Sequence, residues 1–181
     1  LRAHHTAGHQ LSWLTHHSFD SDSICKNVCW VELNNHSGVD MKFATMEHFD
    51  SIWEIFSSHR KTVFPHIRQD YVKRQITGGN VIFESGVVII FNTYKRRQLL
   101  GKAYAEKDDV VLHQIVVKQQ GKGKASKVIQ KFFKYVGTNV FLTVRKSNVV
   151  ARSFYERNGM KVVSKITWSN GALPGLVFKT V

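Results

Sequence analysis

The chain has 181 residues, 43% hydrophobic and 22% charged, which is enough apolar material for one buried core and excludes wholesale disorder. No apolar run approaches the roughly 20 residues that a spanning helix requires. Two cysteines only four positions apart, Cys25 and Cys29, cannot build a disulfide framework. What remains is a soluble single domain, expected in the cytoplasm, with a formal net charge of +13.

That charge is unevenly spread. Residues 1–40 carry two basic and four acidic groups, whereas residues 41–181 carry 24 basic and nine acidic ones. The first segment also holds six of the ten histidines and both cysteines, and no helical or strand periodicity persists in it. It lacks the charged start, apolar middle and small-residue exit of a signal peptide. Residues 41–181 are therefore expected to be the working domain, with Met41 as a native start. Residues 1–40 are expected to be an extension, poorly ordered or non-native. His4, His5, His9, His16, His17, Cys25 and Cys29 could supply zinc ligands, but the single cysteine pair and the spacing fit no finger. No metal site is assigned.

From Met41 the chain alternates between elements. A short strand is expected at 42–45, then a helix at about 46–58 with Phe49, Ile52, Trp53 and Phe56 at helical spacing. Pro65 fits the opening of a second helix marked by Ile67, Tyr71 and Ile76 and ended by Gly78-Gly79. Strands at 81–84 and 87–94 meet at a tight Ser85-Gly86 turn, and a further strand is expected near 99–105.

The most informative stretch begins at the β-branched strand Val110–Val117, which runs into Lys118-Gln119-Gln120-Gly121-Lys122-Gly123-Lys124-Ala125 and then an amphipathic helix. Val128, Ile129, Phe132, Phe133 and Val136 fall on one face of that helix, and Lys124, Lys127, Lys131 and Lys134 fall largely on the other. Strand, glycine turn and helix start make an anion site. Unpaired amides at the helix N-terminus point outward with the dipole behind them, and glycines leave the backbone open to close approach. Lysines at 122, 124 and 127 add attraction. The pattern is neither a nucleotide-triphosphate loop nor a dinucleotide fingerprint.

These residues resemble the GNAT superfamily of N-acetyltransferases. The family's cofactor loop, Gln/Arg-x-x-Gly-x-Gly/Ala, is met by Gln120-Gly121-Lys122-Gly123-Lys124-Ala125. A register starting at Lys118 is set aside, because the two apolar residues expected three and four positions beyond the motif are Val128 and Ile129 only in the Gln120 register. Downstream, the strand 140–144 and the run Asn148-Val149-Val150-Ala151-Arg152-Ser153-Phe154-Tyr155-Glu156-Arg157-Asn158-Gly159-Met160 are similar to the family's strand-then-helix segment. The match is nearest to the branch that acetylates the N-terminus of a ribosomal protein, with Met160 replacing the final aromatic.

The resemblance implies an α/β fold with a mixed, mostly antiparallel sheet of about seven strands flanked by about four helices. It implies acetyl-CoA as co-substrate, its pyrophosphate on the amides of Gly121, Lys122, Gly123, Lys124, Ala125 and Ser126. The pantetheine arm would lie along Ile115, Val116 and Val117, with Val117 standing where many relatives have proline. Asn148 matches a cofactor contact, and its position also suits a helix cap. Tyr155 matches the proton donor to the departing thiolate, and it also suits a core aromatic. The ribosomal-protein branch carries a glutamate base where this chain has Thr143. Asp109, six residues before Ile115, and His113 are the remaining candidates for the base; an imidazole suits proton relay near neutrality.

The activity implied is acetyl transfer to a primary amine, on a small molecule or a peptide N-terminus, through a ternary complex. The density of cations disfavours a strongly basic acceptor. Two alternatives use the same residues: a basic nucleic-acid-binding module, and a GNAT fold that binds acyl-CoA without catalysis. Nucleic acid is the less favoured partner, because the aromatics near the lysines fall at core spacing.

Overall fold

A computed structural model of the chain describes residues 38–59 and 66–181. The expectations for residues 1–37, the zinc alternative among them, lie outside the described residues, as do those for Arg60, Lys61 and Pro65.

Extended backbone at 42–44 does not become a strand, and only Phe43 bridges Ile82. The reason lies at Thr45, whose N–H donates to His48 Nδ1 at 3.0 Å and whose carbonyl accepts from His48 N at 3.0 Å. That reciprocal cap turns the chain into a 3-10 turn, Met46–His48, and then α1, Phe49–Ser58. The apolar face of α1, Phe49, Ile52, Ile55 and Phe56, is buried. Helix α2 spans Gln69–Thr77, beginning after the extended Arg68 and closing where Gly78 N–H reaches Arg74 O at 2.9 Å.

Strands β1, Val81–Glu84, and β2, Val87–Thr93, form a hairpin through Ser85 and Gly86, both in the left-handed region. The single strand expected over 99–105 is instead a second small hairpin, β3 Gln98–Leu100 and β4 Ala103–Ala105. Gly101 makes the turn at φ +66°, and a side chain there would strike Ser164 Oγ and the Lys165 carbonyl. Ser164 Oγ also accepts from Lys102 N–H at 2.7 Å. This hairpin is thereby docked against a later strand while its own ladder stays separate from the main sheet's hydrogen bonding.

The remaining elements are β5 Val110–Val117, α3 Lys124–Val136, β6 Val140–Arg145, α4 Val149–Arg157, β7 Met160–Trp168 and β8 Leu173–Thr180. Six strands form one sheet in the order β1-β2-β5-β6-β8-β7, and β5–β6 is its parallel pair. The described residues thus hold eight strands and four α-helices, the expected mixed and mostly antiparallel fold.

Three apolar clusters fix the layers. On one face of the sheet, α3 and α4 bury Val128, Ile129, Phe132 and Tyr155 against Ile89, Phe91, Leu112, Leu142 and Phe178. Each large aliphatic or aromatic side chain buried in this way contributes about 1.5–3 kcal/mol, so α3 is held firmly behind its N-terminal turn. On the other face, α1 and α2 cover Val81, Val88, Ile90 and Val116. Further along that second face the small hairpin covers Phe141 and Val177 through Ala105 and Leu100. The second face is therefore covered at two places, by α1–α2 on the β1-β2-β5 half and by the hairpin on the β6-β8-β7 half.

Candidate active site

The parallel pair opens almost as soon as it forms. β5 and β6 share only Val110↔Val140 and Val111↔Phe141. On its other side β5 stays paired with β2 out to Val117↔Val87, while β6 stays paired with β8 out to Arg145↔Gly175. The two central strands consequently part company from Leu112 onward, and the edge of β5 that faces the gap keeps unpaired peptide groups. Peptide N–H and C=O groups need partners. An extended chain lying in the gap could complete the ladder at Ile115, Val116 and Val117.

The wide end of the gap meets the glycine turn. Lys118 N–H is tied to Gly86 O at 2.9 Å, after which the loop runs free to α3. Gly121 has φ +80° and Gly123 φ +66°, and no atom lies within 4 Å of where a Cβ would stand on either. Both positions demand glycine conformationally, and both present bare backbone. No side chain caps the α3 N-terminus, and its first turn has no acidic residue. The opening amides of α3 and its dipole therefore face outward beside the exposed Lys122, Lys124 and Lys127. Ser126 is half-buried and accepts from Asn158 Nδ2 at 3.3 Å, which fastens this end of α3 to the end of α4. Gln120 is exposed on the loop, and Ala125 is half-buried below it. The residues present thus fit a bulky polyanion with an extended arm.

Helix α4 supplies two of the expected residues. Asn148 Oδ1 accepts from Ala151 N–H at 3.1 Å, so it is the N-cap of α4. It is also exposed, which leaves its amide group accessible. Tyr155 is 9% exposed and belongs to the cluster against which Ile115 and Val117 pack. Its ring stands 5.5 Å from that of Phe154 and 5.9 Å from that of Phe178. Burial pushes its phenol up to about 12, so the group is a neutral O–H throughout the physiological range.

The two candidate bases are placed very differently. Asp109 is buried at the closed end of the β5–β6 pair. Its Oδ2 accepts from Glu106 N–H at 2.8 Å, and its Oδ1 accepts from Asn139 Nδ2 at 3.0 Å. Both oxygens are thus engaged in closing the turn before β5 and fixing the lead into β6. Burial, and secondly the charge of Asp109, push the nearby Tyr94 phenol up to about 12.

His113 lies farther along β5, where the strands have parted. Here β5 carries a bulge: Phe91 pairs with Leu112 and Ile90 with Gln114, leaving His113 as the extra residue. Side chains before the bulge reach the second face at odd positions, as Val111 does opposite Asn92. After it they reach that face at even positions, as Gln114 does opposite Ile90. Alternation from either side therefore assigns His113 and Gln114 to the same face, in succession. The His113 ring is solvent-accessible yet densely walled by protein, and the resulting desolvation lowers its pKa from 6.5.

The opposite side of the gap has Thr143 and Arg145, both exposed on β6 and on this second face by register with Val177 and Gly175. At the wide end the Trp168 ring lies over the Gly175 backbone, where a side chain at 175 would collide with it. No sequence motif marks Gln114 or Trp168. Trp168 was within reach, since Ser169-Asn170-Gly171 is a hairpin signal and all three residues adopt positive φ. Gln114 was not, because its face depends on a bulge that only the partner strand reveals. Among the described residues no group of three His, Cys, Asp or Glu side chains could hold a metal ion, and no helix is long and apolar enough to cross a membrane.

Comparison with known proteins identifies the family and supports the fold. Residues 46–160 match the model of the acetyltransferase (GNAT) family. A GNAT-family acetyltransferase from Bacillus cereus has a similar structure, at 19% identity and a TM-score of 0.59 over 78% of this chain and 95% of that one. The ribosomal-protein-S18-alanine N-acetyltransferase of Escherichia coli is similar at 16% identity and a TM-score of 0.53, over 78% and 92% of the two chains. Arabidopsis thaliana Naa50, solved with the bisubstrate analogue CoA-Ac-MVNAL, gives 16% identity and a TM-score of 0.54 over 78% and 97%. At these identities the likeness is one of fold. No curated protein matches the sequence.

Proposed function

The chain belongs to the GNAT acetyltransferase family, and from that premise we propose that residues 41–181 form an N-acetyltransferase taking acetyl-CoA and a primary amine in one ternary complex. The observation that carries this reading is the coincidence of two features at one end of β5. The strand loses its partner from Leu112 to Val117, and α3 starts directly beyond it on the open Gly121–Gly123 turn. One feature suits an extended arm and the other a pyrophosphate.

In this reading Gln120 and the amides of residues 121–126 hold the anionic end, with Lys122 and Lys124 beside them. Ile115, Val116 and Val117 offer backbone partners to the arm, and Asn148 adds its exposed amide. Acetyl-CoA supplies the acetyl group as a thioester. His113 takes the proton that the amine must lose as its nitrogen bonds to the acetyl carbon, because a neutral imidazole accepts a proton near pH 7. Tyr155 gives its phenolic proton to the sulfur freed when the carbon–sulfur bond breaks, and is reprotonated from solvent. We assign Asp109 to the turn, since both its oxygens already accept hydrogen bonds. Thr143 cannot serve as a base, so this chain departs there from the ribosomal-protein branch. Neighbouring structures support a peptide N-terminus as one acceptor class. Exposed cations on the second face favour a neutral or acidic one over a basic tail.

Calorimetry with acetyl-CoA tests the cofactor half. A Gly121→Glu, Gly123→Glu double variant places two carboxylates where the open backbone now stands, and its affinity is expected to fall by at least about tenfold, the equivalent of 1.4 kcal/mol. Equal affinity in both proteins would remove the loop from the site.

A further inference from the structure

We infer that Gln114 determines acceptor specificity, its carboxamide oxygen taking an N–H of the acceptor's reacting nitrogen. This rests on the acetyltransferase reading above and extends it to a residue which that reading does not use. Two independent features single out Gln114. The bulge in β5 presents it on the second face directly after His113, on the strand whose other edge has lost its partner. And its Oε1 is buried with no hydrogen-bond partner among the described residues.

A buried acceptor without a donor is costly and rare in folded proteins. A second such oxygen is Gln75 Oε1 on α2, the helix that covers the cluster including Ile90, the cross-strand partner of Gln114. A primary amine or a peptide N-terminus brings donors and no competing acceptor at its nitrogen. The adjoining His113 nitrogen would receive the proton that the amine loses, and Gln114 would hold the N–H that stays. An oxygen acceptor or a thiol brings too few hydrogens for both partners. The arrangement therefore selects nitrogen nucleophiles with at least two hydrogens.

The test uses the full chain, with CoA and the bisubstrate analogue CoA-Ac-MVNAL as probes, and the variants Gln114→Met and Gln114→Glu. Met keeps the length and volume of the side chain and removes the polar atoms; Glu keeps an acceptor oxygen. In Gln114→Met, CoA affinity is expected to stay unchanged. The advantage of the bisubstrate analogue over CoA should fall by about tenfold or more, the worth of one buried hydrogen bond. The unliganded variant should also melt higher by about 2–4 °C, because a buried oxygen without a donor has been removed. Gln114→Glu should keep the analogue's advantage. A Gln114→Met protein that retains that advantage, or melts lower, overturns the proposal, as does a wild-type protein that binds CoA but gains nothing from the peptide half. A wild-type protein that binds no CoA overturns the acetyltransferase reading first, and this inference with it.

Discussion

Replacing Tyr155 by Phe separates catalysis from packing at a buried residue of the proposed site. The ring contacts survive: the Phe154 and Phe178 rings stand 5.5 Å and 5.9 Å from the Tyr155 ring, centroid to centroid, and Phe keeps that ring. The apolar area buried by the side chain is unchanged, so what is lost is one phenolic O–H, whose net contribution is about 0.5–1.5 kcal/mol if it is hydrogen-bonded. For a domain of this size that is a melting shift of about 2–4 °C per kcal/mol. A positioned proton donor, by contrast, contributes about 10²–10⁴ in rate, and each factor of ten is about 1.4 kcal/mol of barrier. Tyr155→Phe should therefore slow turnover at least about a hundredfold while the melting temperature moves by only a few degrees. Thiol release at saturating acetyl-CoA and acceptor measures the first, and calorimetric melting the second. Burial pushes the phenol up to about 12, so the loss should be the same from pH 6 to pH 9. A hundredfold slower protein that has also lost its cooperative melting would be explained by packing, and an unchanged rate would remove Tyr155 from the chemistry.

His113 gives a pH signature with a definite sign. Desolvation lowers its folded pKa below 6.5, so the unfolded chain binds this proton more readily, and its contribution to stability is full above pH 6.5 and declines as pH falls from there toward the folded pKa. In the rate, kcat/KM for acetyl-CoA, which reports the group before the cofactor binds, should fall along an acidic limb whose midpoint lies below 6.5, and His113→Gln should lose that limb together with most of the activity. A limb that persists in His113→Gln would name another base. Asp109→Asn offers the opposite pattern. One of the two oxygens that accept from Glu106 N–H and Asn139 Nδ2 becomes a donor, which should cost about 1–3 kcal/mol in denaturant unfolding with kcat changed less than about threefold, since Asp109 stands at the closed end of the gap. Stable Asp109→Asn protein with no turnover would make Asp109 the base after all.

The proposed cofactor side of the site is readable in the sequence for a local reason. Its parts are consecutive: strand, glycine turn and helix occupy 27 residues from Val110 to Val136, and the type of residue at each place is dictated by backbone conformation. Gly121 and Gly123 are glycines because their φ values are positive, and Val128, Ile129 and Phe132 are apolar because they sit under the helix. The proposed acceptor side has no such continuity. It is assembled from β5, β6, the α1–α2 layer, the small hairpin and Trp168, and its decisive feature is the parity change at His113. Simple alternation puts Asp109 and His113 on one face and Gln114 on the other. The bulge restores Gln114 to the face of Asp109 and Val111, a fact written in the pairing of Ile90 and Phe91 and nowhere in β5 alone. The region 99–105 failed for a related reason. A glycine inside an apolar run reads as a weak spot in a strand, whereas Gly101 is a turn required by contact with Ser164 and Lys165, more than 60 residues away.

Placement also divides the basic residues that composition could only count. Arg97 lies over the Tyr104 ring at 3.9 Å and pairs with Glu106 at 3.1 Å, so it belongs to the small hairpin. Lys73 sits over Phe49 at 4.7 Å on the outside of the α1–α2 layer, and Lys131 binds Glu84 at 2.7 Å between α3 and β1. These have structural partners. Lys95 and Arg96, in the loop before β3, and Arg68 and Arg74, at the two ends of α2, are exposed on elements that cover the second face from opposite sides. Screening over about 8 Å at physiological salt confines their influence to an acceptor already close to the groove. Charges of this kind change encounter rates and partner choice far more than the chemical step. Their expected effect is on KM and its salt dependence, with basic acceptors penalised at low ionic strength and that penalty lost as salt rises, while kcat follows His113 and Tyr155.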